Sequence, residues 1–248
     1  INGINTATPR VQVSGPLKRG RAWISQAFDY RFVRSEVKEN IPGDTEEIVE
    51  GFDVFTQVDL KFTGRHSMTG TLSVFPSTVD NLGTSSIDFG EATPEADFGG
   101  WNVALVDRLA TDANTLWETR LALRGFDVAV RPAGAGPAQL TPDGLRGNYF
   151  NEIDRTSTQL ELGVARLQSW SWRGQQHLAK LGVQVFATSF EGVDRSRPIE
   201  VRGADGRLLK RITFRGPGEL EASDVMTSGY VQDHWQVSSR LALDLGLR

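Results

Sequence analysis

The sequence predicts an all-β protein: an antiparallel up-and-down transmembrane β-barrel wall, a partial barrel of about ten long strands with short turns at one end and long loops at the other. Three observations predict it. Phe52, Val54, Val58, Leu60 and Phe62 alternate with Asp53, Gln57, Asp59 and Lys61, a period of two that sends apolar and polar side chains to opposite faces of one strand. The leg from Ile48 to Thr63 is longer than the usual soluble strand of about five or six residues. It is also longer than the roughly nine to eleven residues that a tilted strand needs to cross a bilayer. Finally, tight turns near positions 18, 64, 112, 174 and 238 alternate with long polar loops, an end-to-end asymmetry that a soluble sandwich has no reason to keep.

The elements follow in chain order. Arg10 to Val13 reads as a short strand before a Gly- and Pro-marked turn over Gly15 to Gly20. Ala22, Ile24, Phe28, Tyr30 and Phe32 then define one face of a long strand, with Ser25, Asp29 and Arg31 on the other. Ser35 to Glu47, charged and holding Pro42-Gly43, reads as an exposed loop. The strand begun at Ile48 turns within Thr63-Gly64-Arg65-His66 and returns through Met68, Leu72 and Val74. Pro76 to Gly100 reads as one long loop without an element of its own.

Trp101 to Ala110 and Thr115 to Val130 form the next hairpin, and Arg131 to Arg155 a second long, Gly- and Pro-rich loop. Thr156 to Trp172 and His177 to Phe190 pair about Arg173 to Gln176. A third excursion from Glu191 contains a small hairpin, Ile199 to Arg202 with Leu208 to Phe214, about Ala204-Asp205-Gly206. Val225 to Val237 and Leu241 to Leu247 close the list about Ser238-Ser239.

Composition excludes several classes. No run of about eighteen apolar residues exists, so no helical membrane span is present in the sequence. A barrel stays open, because lipid sees only half of each strand and the mean hydropathy of -0.30 is what such alternation produces. A net charge of -4 gives no reason to expect nucleic acid as a partner. Absent cysteines remove disulfide frameworks and thiolate metal sites. Ile1 to Asn5 hold neither an initiator Met nor a basic region before an apolar one, so the chain reads as an interior piece of a longer one.

The two faces supply the candidate functional residues. Phe52, Val54, Val58, Leu60, Phe62 and Leu72 are expected to meet lipid, and Asp53, Gln57, Asp59 and Lys61, with Glu161 and Lys180, to line the lumen. Trp23, Trp117, Trp170, Trp172 and Trp235 all lie close to tight turns and are expected to form an aromatic girdle at the membrane interface, with Trp101 alone at a long-loop end. No catalytic constellation, cofactor loop or metal motif is found. His66, His177 and His234 cluster toward the short-turn end and read as turn-end polar residues. Asp88, Glu91, Glu95 and Asp97 lack the spacing of a calcium loop, and the basic run from Arg195 to Arg211 is balanced by nearby acids.

The closing stretch from Gly229 to Arg248 resembles the recurrent hairpin of TonB-dependent outer-membrane receptors. Val13-Ser14-Gly15-Pro16-Leu17 with Arg19, Asn114-Thr115-Leu116 with Glu118-Thr119-Arg120, and Leu145-Arg146-Gly147-Asn148-Tyr149-Phe150 resemble the Oar-like receptors that carry a carboxypeptidase-regulatory-like domain. The resemblance covers residues 1–248 and implies the first part of a barrel of about 22 strands in a Gram-negative outer membrane, without signal peptide, plug, TonB box or closing strands. Arg248 departs from the terminal aromatic of such barrels. The implied partners are outer-membrane lipid, the plug of the same full-length chain, the TonB complex, and a small-molecule, glycan or peptide substrate too large or scarce for porins. A structural or adhesive barrel and a barrel-borne hydrolase stay open as alternatives. The isolated chain, with two unpaired strand edges, is expected to be unstable.

Overall fold

The computed structural model describes residues 5–36, 46–85, 88, 90–216 and 218–248. In chain order the strands are β1 (Thr6–Ala7), β2 (Arg10–Lys18), β3 (Ala22–Glu36), β4 (Glu46–Lys61), β5 (His66–Val74), β6 (Ser77–Asp80), β7 (Pro94–Ala110) and β8 (Thr115–Pro132). Then come β9 (Ala138–Thr141), β10 (Gly144–Gly147), β11 (Asn151–Trp172), β12 (Gln175–Ser196), β13 (Ile199–Arg202), β14 (Leu208–Ile212), β15 (Glu219–Ser238) and β16 (Leu241–Leu247). The one 3₁₀ turn among the described residues is Gly90–Ala92.

Strands next to each other in sequence are neighbours in one antiparallel sheet, in the order β1-β3-β4-β5-β7-β8-β11-β12-β15-β16, with β2 also on β3 and β6 between β4 and β7. That is an up-and-down meander. Phe75-Pro76 breaks β5 from β6, since Pro has no N–H for the ladder. The crossing is tight. A Cβ on Gly51 would lie 2.8 Å from the Pro76 carbonyl oxygen, and one on Gly100 would lie 2.1 Å from a carbon of the Phe75 ring. The turn between β11 and β12 has only Arg173 (φ 51°) and Gly174 (φ 78°), the paired positive values of a two-residue hairpin whose twist suits the flanking strands.

Several sequence expectations need correction, and most corrections lengthen a strand or add one. The Gly15 to Gly20 turn is shorter, because β2 runs to Lys18 across a bulge at Pro16. Pro76 to Gly100 is not a featureless loop, because β6 pairs with β4 and with residues 96–98 of β7, where Ala96 is buried. The Ser35 to Glu47 loop lies for the most part, at residues 37–45, outside the described residues. Arg131 to Arg155 contains β9 and β10, which join β13 and β14 in a separate four-stranded sheet through a parallel pairing of β9 with β13. That pairing joins segments about sixty residues apart, so local periodicity could not show it. Trp101 consequently lies within β7, not at a loop end.

Directly opposed residues share a face, so the register sorts every side chain. On the half of the sheet next to the short turns, one face carries Phe28, Val54, Leu72, Val103, Leu123, Leu160, Val183 and Val225. Among the described residues no second layer covers them. Leu121, Leu160 and Leu162 stay 43%, 44% and 47% exposed, whereas Ala104, Ala122 and Ala165 on the opposite, polar face are buried. Polar groups on the apolar face find partners there: Thr56 Oγ1 donates to Gln26 Oε1 at 2.7 Å.

Toward the long loops the polarity of the same faces reverses. The face bearing the leucines ends at Glu50, Asp97, Asp127, Glu191 and Glu221, with Asp127, Thr156, Glu191 and Glu221 opposed in one row. The opposite face acquires the apolar core, where Val79, Ala96 and Val130 pack with Val49, Leu82, Phe98, Val128, Tyr149 and Ile153. At about 3.3 Å per residue the 22 residues of β11 extend roughly 70 Å, far beyond an apolar band about 25 Å tall. The two halves of each long strand therefore meet different surroundings.

Candidate functional site

The polar face of the turn-proximal half is the candidate site, a wall of charged and amide side chains. On β4, Asp59 accepts from Gln57 Nε2 at 2.8 Å and from Thr69 Oγ1 at 2.8 Å, and Asp53 sits 3.6 Å from the Arg31 guanidinium. Asp53, Gln57, Asp59 and Lys61 thus share one face, as alternation requires.

At the centre of the wall stands Glu161, its side chain buried between two arginines. Arg120 Nε lies 2.8 Å from Oε1 and Arg124 Nη2 2.5 Å from Oε2. Both guanidiniums remain close to half exposed while the carboxylate is covered, so the cluster presents one excess positive charge to the space before the wall. The neighbouring strands add Gln159, whose amide donates to Thr188 Oγ1 at 3.0 Å, and Lys180, whose Nζ lies 5.8 Å from the Tyr230 ring centroid. Gly182 lets that ring lie flat on β12, since a Cβ there would fall 2.5 Å from it. Phe55, Phe126, Phe186 and Phe190 interrupt this polar wall. Sequence reasoning named Glu161 and Lys180 but missed both Glu161 partners, which only the β8–β11 register identifies.

The loop end is built around a motif visible in the sequence. In Leu145 to Phe150, Gly147 adopts φ 80°, open to glycine without strain. The buried Asn148 accepts from the Gly134 N–H at 3.1 Å and donates to the Gly134 and Gly136 carbonyls, tying down the 133–136 turn. Tyr149 enters the apolar core, and Phe150 packs 5.1 Å from Tyr149 and 6.4 Å from Phe214. Glu91, of the acidic loop, accepts from the Gly147 N–H at 3.1 Å, so it serves as a strut. In the basic run, Arg197 donates to the Gly134 carbonyl and Arg202 pairs with Glu200 at 2.6 Å.

At the opposite end each histidine has an aspartate: His66 with Asp107, His177 with Asp233 and His234 with Asp244, all at 2.7 Å. His177 is stacked between Trp170 at 4.9 Å and Trp235 at 5.5 Å. The register puts Trp117, Trp170, Trp172 and Trp235 on the apolar face. Trp23 is a correction: it opposes Asp59 and so lies on the polar face, because its strand has its even positions on the apolar side. Phe62 also shifts, lying past the end of β4 in the turn with its ring 4.8 Å from His66.

No protein-family model matches the sequence, and no curated protein matches it. Solved structures do. The chain superposes over 97% of its length on the outer membrane transporter YddB of Escherichia coli at a TM-score of 0.73 and 12% identity, covering 33% of that chain. P. aeruginosa FpvA, solved bound to an iron-pyoverdine complex, gives 0.72 and 13%, with 97% and 34% covered. FyuA, the ferric yersiniabactin uptake receptor of Yersinia pestis, gives 0.64 and 11%, with 97% and 36% covered. The fold is that of an outer-membrane β-barrel, built here as an open wall. More particularly, it is the barrel-wall fold of TonB-dependent outer-membrane receptors, and the chain spans about a third of the length of these structures.

Proposed function

We propose that the chain is wall and external loops of a TonB-dependent receptor of the Oar-like kind, in the outer membrane of a Gram-negative bacterium, taking up a substrate too large or scarce for porins. One observation carries this reading: the reversal of polarity along single strands. A face that is leucine-rich beside the short turns and acidic beyond Asp127 fits a strand passing from hydrocarbon into water. The apolar core under the loops is then the ordinary interior of a water-exposed cap.

In this reading Val54, Val58, Leu60 and Leu72 meet lipid while Asp53, Gln57, Asp59, Lys61 and the Arg120–Glu161–Arg124 cluster face a plug domain or the passing substrate. YddB, FpvA and FyuA are by their descriptions a transporter, a pyoverdine-binding protein and an uptake receptor, which supports transport over chemistry. The substrate class stays open among siderophores, glycans and peptides. The test is energised uptake by cells carrying the full-length protein or lacking it, using labelled members of each class. Accumulation that disappears with the protein, and with dissipation of the inner-membrane proton gradient, is expected. Accumulation that persists after deletion for every class would contradict the proposal.

A further inference from the structure

The short-turn end differs from the rest of the molecule in charge. The chain as a whole carries a net charge of -4, yet its short turns hold Arg19, Arg21, Arg65, Arg173 and Arg240 against the single acid Asp112. All five arginines are exposed, and among the described residues none takes part in an ion pair. A sixth cation lies on the apolar face itself. Arg166 opposes Trp117 and Leu181, and its guanidinium reaches over the Trp117 ring at 5.7 Å, as Arg173 does over Trp172 at 4.8 Å.

Among the described residues no nearby carboxylate pairs with these arginines. Asp107 and Asp233 on the same face each take a histidine at 2.7 Å. An arginine on a lipid-facing row is tolerated where its long stem lets the charge reach the interface, because the cost of the charge falls steeply with distance from the bilayer midplane. The far edge of the apolar band is the reverse, ending in Asp127, Glu191 and Glu221.

We propose that the short-turn rim, with Arg166 over Trp117 and Arg173 over Trp172 at its centre, binds the headgroups of anionic glycerophospholipids in the leaflet that meets these turns. The chemistry is specific. A phosphodiester brings two acceptor oxygens to a planar guanidinium already held by an indole face, and its acyl chains continue along the leucine rows beside it. Charge complementarity selects the lipid, since a basic rim gains from an anionic surface and an acidic one does not. The assignment rests on the outer-membrane reading given above.

The experiment reconstitutes the full-length protein in phosphatidylcholine bilayers and measures, with spin-labelled lipids, the preference of its motionally restricted shell for phosphatidylglycerol over phosphatidylcholine. A preference of about five-fold is expected, the factor that one unpaired surface arginine confers. Replacing Arg166, Arg173, Arg19, Arg21, Arg65 and Arg240 together by Gln brings it to about one, Arg166→Lys lowers it because an ammonium lacks the two-pronged donor set and the stacking plane, and Arg195→Gln, near the acidic edge, leaves it unchanged. A folded, inserted wild-type protein with no preference would overturn the inference and leave the membrane reading intact. Failure of the wild type to insert at all would overturn both. Preference abolished by millimolar glycerol phosphate in the water would mark a free-phosphate site and sink the lipid assignment. Should the six-fold variant not insert, the Arg166→Gln/Arg173→Gln pair decides: an unchanged preference there contradicts the proposal.

Discussion

The two halves of β11 and β12 share a backbone geometry and differ in everything that surrounds it. Near the Arg173-Gly174 turn, Leu160, Leu162 and Val183 are apolar and uncovered, while Glu161 and Gln184 fill the other face. Near the loops Ile153 is part of a covered core, and Asp154 and Glu191 point the opposite way. Hydrogen bonding cannot account for the difference, because the ladder is continuous over all 22 paired positions. The difference lies in what covers the two halves. Near the loops apolar groups crowd under other protein as in a water-soluble fold, and beside the short turns they lie bare, as the proposed lipid-facing wall requires.

The sharpest way to break the comparison is to charge the uncovered face. Val183→Arg is expected to destabilise the bilayer-inserted protein by about 2–4 kcal/mol, while Gln184→Arg on the neighbouring, polar side changes stability by about 0.5 kcal/mol or less. Denaturant titration of both variants in bilayers measures the gap. Equal effects would show the two faces to be equivalent. The covered half responds to volume instead: Val130→Ala removes buried methyl groups from the loop-end core and is expected to cost about 2 kcal/mol. Hydrogen exchange should place the loss above the Asp127 row and spare the turn-proximal strands.

A smaller effect is expected of Asn148→Ala, which leaves the Gly134 and Gly136 carbonyls without their donor, at about 1 kcal/mol locally. Limited proteolysis at residues 133–136 reads it out, with the barrel half resistant. Smallest is a pH effect at Asp112, in a short turn. Hydrogen bonding to its carboxylate, first from the Asn114 backbone N–H and then from the Thr115 side chain, holds its pKa below the usual carboxylate value. Its contribution is therefore complete above that usual value, near 4, and is lost as pH falls through the lower folded value. Asp112→Asn should flatten the acid limb of the stability curve slightly, and only there.

The turn-proximal half was largely legible in the sequence, since a period of two over Phe52 to Lys61 and turn residues such as Arg173-Gly174 are local signals. What escaped depends on partners far away in the chain. β9 is a strand because β13 pairs with it, and residues 94–100 extend because β6 and β8 flank them. Trp23 was misplaced for a simpler reason, its closeness to a turn outweighing its parity with Asp29. The reversal of polarity did leave a trace. Glu50 has the parity of Phe52, Asp127 that of Leu123, and Glu191 that of Val185, so a charge ends each apolar series in phase.

The account stands or falls on which face of β4 and β5 contacts hydrocarbon. Single cysteines at 53 to 60 and at 72, each carrying a bimane fluorophore in the reconstituted protein, would be quenched by brominated lipid in turn. Strong quenching at Val54, Val58, Leu60 and Leu72, with weak quenching at Asp53, Gln57 and Asp59, is the predicted result. Quenching in the opposite phase, or none at any position, would contradict it.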